Sequence, residues 1–150
     1  MILELLIVII GFFADRITKL WALGYLKGTD GITIINNIFK FDYLENRGAA
    51  FGILENRIWF LVLITTIVVG GIIVYLLKAK PTFKLTRIAF SMIIAGALGN
   101  FYDRLVYKFV VDFICVHYKD IYYFPTFNVA DILVSLGTIA IIICIIKDEI

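Results

Sequence analysis

Residues 58–77 contain no charged side chain, and this run restricts the fold more than any other feature of the sequence. A helix needs about 20 mainly apolar residues to cross the hydrocarbon of a bilayer. In that medium a segment must satisfy its backbone N–H and C=O groups internally. Trp59 and Tyr75 stand near the two ends of the run. Sixteen residues at ~1.5 Å each separate them by roughly 24 Å, a spacing suited to interfacial aromatic anchors. Hydrophobic residues make up 62% of the 150, and the mean hydropathy is +0.99. One soluble core of this length does not hide so much apolar side chain, so lipid must serve as part of the solvent.

Two more uncharged runs, residues 88–102 and 132–146, are shorter and reach spanning length if Asp103 and Asp131 lie at a membrane edge. A first span runs from residue 2 into the 20–26 region and carries Asp15, Arg16 and Lys19. Its start lacks a basic stretch and a small-residue cleavage site, so it reads as a retained span and not as a removed leader. The expected architecture is an all-α membrane protein with a small β element. It has four transmembrane helices, and residues 1–150 form one polytopic domain without linker, repeat or low-complexity segment.

Two regions outside the spans differ in kind. In residues 27–57, the apolar run 32–35, the pair Asn36-Asn37 and the alternating Phe39-Lys40-Phe41-Asp42-Tyr43 predict a β-hairpin lying on the membrane. In residues 104–125, Val110 to Ile114 predict a short strand, and Tyr118, Tyr122, Tyr123 and Phe124 suit an interfacial belt. Residues 78–87 hold Lys78, Lys80, Lys84 and Arg87 and no acid, which reads as cytoplasmic. The opposite side holds seven cations (Lys27, Lys40, Arg47, Arg57, Arg104, Lys108 and Lys119) against five on this side, counting Lys147. The dense cluster weighs more, because several of the seven belong to a site.

That site draws on five polar clusters, all on one side in a four-span topology: residues 15–19, 45–52, 99–105, 111–113 and 127–131. Asp, Lys or Arg at the centre of a spanning helix costs about 2.5–3.5 kcal/mol on insertion scales, so a shared function explains the grouping better than five accidents. Single residues have plainer readings. Asp15 and Lys19, at i and i+4, suit a structural ion pair as well as a substrate contact. Asp103-Arg104 suits an interface marker as well as a buried pairing, and Asn128 with Asp131 suits a helix N-cap.

Several chemistries are excluded. A net charge of +2 does not suggest a nucleic-acid partner. Cys115 and Cys144 make neither a disulfide framework nor a metal site. The lone His117 lies outside any HExxH pattern, Ser135 is not in a GxSxG elbow, and no nucleotide-binding glycine loop is present. No metal and no cofactor is expected. What remains is carboxylates. Two aspartates side by side share a proton, and such a pair hydrolyses an amide with water alone. On the residues themselves, Asp15 and Asp103 are as eligible for this pair as Asp112 and Asp131.

The clusters, in this order, resemble those of lipoprotein signal peptidase (signal peptidase II), a family of bacterial membrane aspartyl proteases, along essentially the whole chain. The matching stretches are Asp15-x-x-Thr18-Lys19, Asn46-Arg47-Gly48-Ala49-Ala50, Gly99-Asn100-x-x-Asp103-Arg104, Val111-Asp112-Phe113 and Phe127-Asn128-x-Ala130-Asp131. The resemblance implies that Asp112 and Asp131 are the catalytic dyad. It also implies that Asn46, Gly48, Asn100, Asp103, Arg104, Asn128 and Ala130 shape or brace the site, with Asp15 and Lys19 in support. Arg104 and Asn46 would hold substrate backbone, the hairpin would form a cradle on the membrane, and residues 118–125 a mobile flap. The implied substrates are diacylglyceryl-modified prolipoproteins, met in the bacterial cytoplasmic membrane by a monomer with both termini cytoplasmic and its dyad toward the outer face. Competing readings are an ion- or proton-coupled transporter subunit, a non-enzymatic assembly subunit, and a GxGD-type intramembrane protease. The last fits poorly, since neither Asp112 nor Asp131 follows Gly-x-Gly.

Overall fold

The computed structural model describes residues 2–49, 54–119 and 121–148. Ala50, Phe51 and Gly52 of the second cluster, and Asp120 in the expected flap, lie outside the described residues. Four helices and four strands follow in the order α1 (Ile2–Tyr25), β1 (Ile32–Ile35), β2 (Phe39–Asn46), α2 (Ile58–Ala79), α3 (Lys84–Val106), β3 (Val110–Tyr118), β4 (Tyr122–Tyr123) and α4 (Val129–Ile146). The chain is mostly helical with a small antiparallel sheet. Helices α2, α3 and α4 are long and apolar enough to cross a membrane. Helix α1 is equally long, and its charged residues, Glu4, Asp15, Arg16 and Lys19, are all buried.

Helix α3 is the centre, packed against α1, α2 and α4. Its buried residues are mostly small: Thr86, Ala89, Ser91, Ala95, Gly96 and Gly99. In lipid, helices gain little from burying apolar surface against each other, so close backbone approach and dispersion hold them together. At Gly96 an added methyl would run into the carbonyl oxygen of Ala130, and at Gly99 into the Asp15 carboxylate. Helix α2 buries only Leu61 and Val69, which leaves most of its surface for lipid.

The sheet runs β1-β2-β3-β4. The expected hairpin is present, with Asn37 at its turn in a left-handed conformation (φ 62°). The expected strand at 110–114 continues to Tyr118 and turns through β4, so the tyrosine stretch is part of the sheet. Ala22 and Leu26 at the end of α1 pack with Val111 and Phe113 of β3, edged by Trp21, Phe41 and Tyr43. This contact fixes the sheet to one end of the helix bundle. A bridge between Ile114 and Phe127 then ties β3 to the residue before α4 begins. Phe127 O accepts from Ile114 N at 2.8 Å and Phe127 N donates to Ile114 O at 3.1 Å.

The glycine packing makes a paired test. Gly96→Ala should lower stability by about 1–3 kcal/mol, because the obstructing atom is backbone and cannot rotate away. Gly70→Ala, where an added methyl meets nothing within 4 Å, should be neutral or raise stability by up to ~1 kcal/mol through helix propensity. Thermal unfolding in detergent reads both, and equal effects would show that the α3–α4 approach is not tight.

Candidate active site

Asp112 lies on β3 and is 1% exposed. Its Oδ2 accepts from Asn46 Nδ2 at 2.9 Å, and its Oδ1 from Asn128 Nδ2 at 2.6 Å. Asp131 is the third residue of α4. Its Oδ2 accepts from the Asn128 backbone N–H at 3.1 Å, while Asn128 Oδ1 accepts from Asp131 N at 3.0 Å. This is the capping box that the Asn128/Asp131 spacing suggests. Asp131 Oδ1 accepts from Asn100 Nδ2 at 2.8 Å. Asn128 therefore serves both aspartates, capping the helix that carries one and donating to the side chain of the other. Both carboxylates line a cavity of about 1060 Å³.

A second group of charges lies behind this pair, fully buried. Lys19 Nζ sits 2.8 Å from Asp15 Oδ2, 3.1 Å from Asp103 Oδ2 and 2.8 Å from Asn100 Oδ1. Asn100 Oδ1 accepts a hydrogen bond from the ammonium, and the two carboxylates pair with its charge. Asp15 Oδ1 accepts from Ala130 N at 2.9 Å, which fixes the start of α4. Asp103 pairs with Arg16 and accepts from Val111 N at 3.1 Å, which fixes the start of β3. Arg16 also lies over the Tyr102 ring, 4.6 Å from its centroid. The two acids and two bases of this group cancel, as burial of charge requires.

All eleven residues singled out in the sequence converge here, in two sets. Asp15, Lys19 and Asp103 form the buried ion cluster, with Gly99 against it. For Asp15 and Lys19 the ion-pair alternative holds. Asp103 and Arg104, adjacent in sequence, part company: Asp103 is buried in the cluster, and Arg104 lines the cavity and donates to Gly48 O at 3.1 Å. Asn46 braces Asp112, and through Oδ1 it accepts from Gly48 N at 2.9 Å. Asn100 joins the sets, accepting from Lys19 and donating to Asp131. Ala130 contributes its backbone N–H. The sequence reading counted Arg16 in the first cluster but gave it no role. A count of charge would have pointed to it, since two buried aspartates beside one lysine need a second cation. Phe124, Pro125 and Thr126 line the cavity, so the expected flap stretch borders it.

Comparison with known proteins adds to this geometry. A family model described as signal peptidase (SPase) II matches residues 7–147. The chain belongs to the signal peptidase II family. Lipoprotein signal peptidases of Clostridium novyi (strain NT) and Clostridium acetobutylicum are 54% and 53% identical to it. These alignments cover 97% and 98% of this chain, and 99% and 96% of theirs. Two bacterial membrane enzymes solved by the in meso method superpose with TM-scores of 0.89 and 0.85, at 34% and 35% identity. Each superposition covers 97% of this chain, and 88% and 93% of the other. Like the other members of this family, it is a membrane protein.

Burial, and then the charge of Asp131, push the Asp112 carboxyl up to about 7 against the pull of the Asn46 and Asn128 hydrogen bonds. In the unfolded chain an aspartate titrates near ~3.9. The folded state thus keeps this proton to higher pH, and the contribution of Asp112 to stability falls as pH rises from about 4 to about 7. Asp112→Asn does not titrate there. Its Tm relative to wild type should therefore climb between pH 4.5 and pH 7.5, and a constant difference in thermal unfolding would remove this account of Asp112.

Proposed function

We propose that this chain hydrolyses the signal peptides of diacylglyceryl-modified prolipoproteins by aspartyl chemistry, with Asp112 and Asp131 as the dyad. That it removes signal peptides from prolipoproteins follows from its family and from full-length relatives named for this activity. The observation that carries the catalytic reading is the division of the four central aspartates. Asp15 and Asp103 are matched by Lys19 and Arg16. Asp112 and Asp131 have only amide and backbone donors and line the cavity.

In this reading the pair shares one proton. Asp112, the more deeply buried of the two, holds it and serves as the acid, and Asp131, on the first turn of α4, serves as the base. Asp131 takes a proton from water as the water oxygen bonds to the scissile carbonyl carbon, and Asp112 protonates the carbonyl oxygen. The gem-diol collapses when its C–N bond breaks. The nitrogen leaves with the proton from Asp131, and Asp112 regains one from a diol hydroxyl. The products are a carboxylic acid and an amine, and the dyad returns to its starting state. Arg104, anchored on Gly48 O, and Asn46, which also lines the cavity, are the groups to hold substrate backbone.

Crossing of the membrane by α1 as a fourth span fits its length and its buried polar face. With four spans both termini share the side of the Lys78, Lys80, Lys84 and Arg87 cluster, the cytoplasmic side by the positive-inside rule, and the dyad faces outward. The reading includes the cytoplasmic membrane as location, a single domain and action as a monomer. A transporter has no support from the family, and a paired ion cluster behind an open cleft is not a relay through the membrane.

Asp112→Asn and Asp131→Asn should each lower cleavage of a diacylglyceryl-modified prolipoprotein by at least ~100-fold, with the fold retained. Asp15→Asn should lower activity or stability in part. A gel-shift assay on the purified proteins reads these, and a well-folded dyad variant that still cuts would reassign the site. The pH–rate profile of wild type should be bell-shaped, its basic limb falling above about 7 as Asp112 loses its proton. A profile flat through pH 9 would count against Asp112 as the acid.

A further inference from the structure

Hydroxyl side chains on helices in lipid ordinarily turn back onto the carbonyl four residues earlier, because no water is there to meet them. Thr18, Thr65, Thr66, Ser91 and Thr138 all do so, donating to the carbonyls of Ala14, Leu61, Val62, Arg87 and Val134 at 2.7–2.9 Å. Ser135 makes no such bond. It lies four residues after Asp131 on α4, on the same helix face and about 6 Å further along the axis. Asp131 and Ser135 both line the cavity, whose wall at this level includes Thr65 of α2, Ala97 of α3, and Val134 and Leu136 of α4.

We infer that the Ser135 hydroxyl is a substrate-binding group, which hydrogen-bonds the backbone of the signal peptide just before the scissile bond. A peptide in a helix hides the carbonyl that the dyad must reach, so the segment entering the cleft has to be extended. Its backbone groups then lose their helical partners in an apolar surrounding, where each unmet group costs several kcal/mol. A signal peptide is apolar and runs into the membrane, so the residues preceding the cleavage point lie on the deeper side of Asp131, where Ser135 is. Being unused by its own helix, this hydroxyl can both donate and accept. The inference rests on the proposed dyad.

The test compares Ser135→Ala with Thr138→Ala, whose hydroxyl is already spent on Val134 O, and with wild type and Asp131→Asn, on one lipidated prolipoprotein. Ser135→Ala should raise KM about three- to tenfold, with kcat within twofold and Tm unchanged, while Thr138→Ala should match wild type. An unchanged KM, or an equal change in both variants, overturns the inference. Repeating the assay on a substrate with ether-linked lipid chains, which lack ester carbonyls, separates two partners. A persisting effect supports the peptide backbone, and its loss assigns the hydroxyl to the lipid and overturns the proposal. If Asp131→Asn still cuts, the dyad reading fails instead, which is distinct from either result for Ser135.

Discussion

The molecule is organised around one buried ammonium. Lys19 is fully enclosed, and in a low-dielectric interior a lone cation would lose its proton or drag in water. Here α1 itself, through Asp15, and α3, through Asp103 and Asn100, bring oxygens to it. Each of those acceptors is then committed elsewhere: Asp15 to the first turn of α4, Asp103 to the first residues of β3, and Asn100 to Asp131. Satisfying this charge positions both elements that carry the cavity-lining aspartates. Removing one member would leave an unpaired buried charge, which typically costs about 3–5 kcal/mol.

Four aspartates near one end of a bundle are chemically alike, and their surroundings make them differ. Asp15 and Asp103 meet ammonium and guanidinium groups. Asp112 and Asp131 meet carboxamides and backbone N–H groups, which orient a carboxylate without cancelling its charge. Like charges held near each other in a partly dry cleft cannot both ionise cheaply, and burial with the neighbouring Asp131 pushes the Asp112 carboxyl up to about 7. Asparagine is well suited to this task, since it donates to one group and accepts from the next without adding charge. Asn46, Asn100 and Asn128 all act in this way.

The helices were legible because lipid imposes a length and an apolar composition, and the hairpin because alternation and Asn36-Asn37 have local causes. The start of α4 was legible too, since Asn128 and Asp131 cap it within four residues. The extension of β3 to Tyr118 was not, because polar His117 shares a face with buried Cys115 while apolar Val116 faces out with Tyr118, the reverse of an apolar-in, polar-out alternation. Residues alone did not separate Asp112 and Asp131 from Asp15 and Asp103, and resemblance had to supply the distinction. The physical reason is distance along the chain. Arg16 meets Asp103 across 87 residues and Asp15 meets Ala130 across 115, and no local pattern encodes such a meeting.

The order of the elements along the chain has a consequence for biosynthesis. The proposed dyad is divided between β3 and α4, in the last third of the chain, whereas the ions behind it come from α1 and α3. The capping box and the Ile114–Phe127 bridge exist only once the final helix has left the ribosome and entered the bilayer. On the proposed dyad, a nascent chain that still lacks α4 lacks Asp131 and is inactive. On that proposal, completion of the last helix is the step that switches the enzyme on.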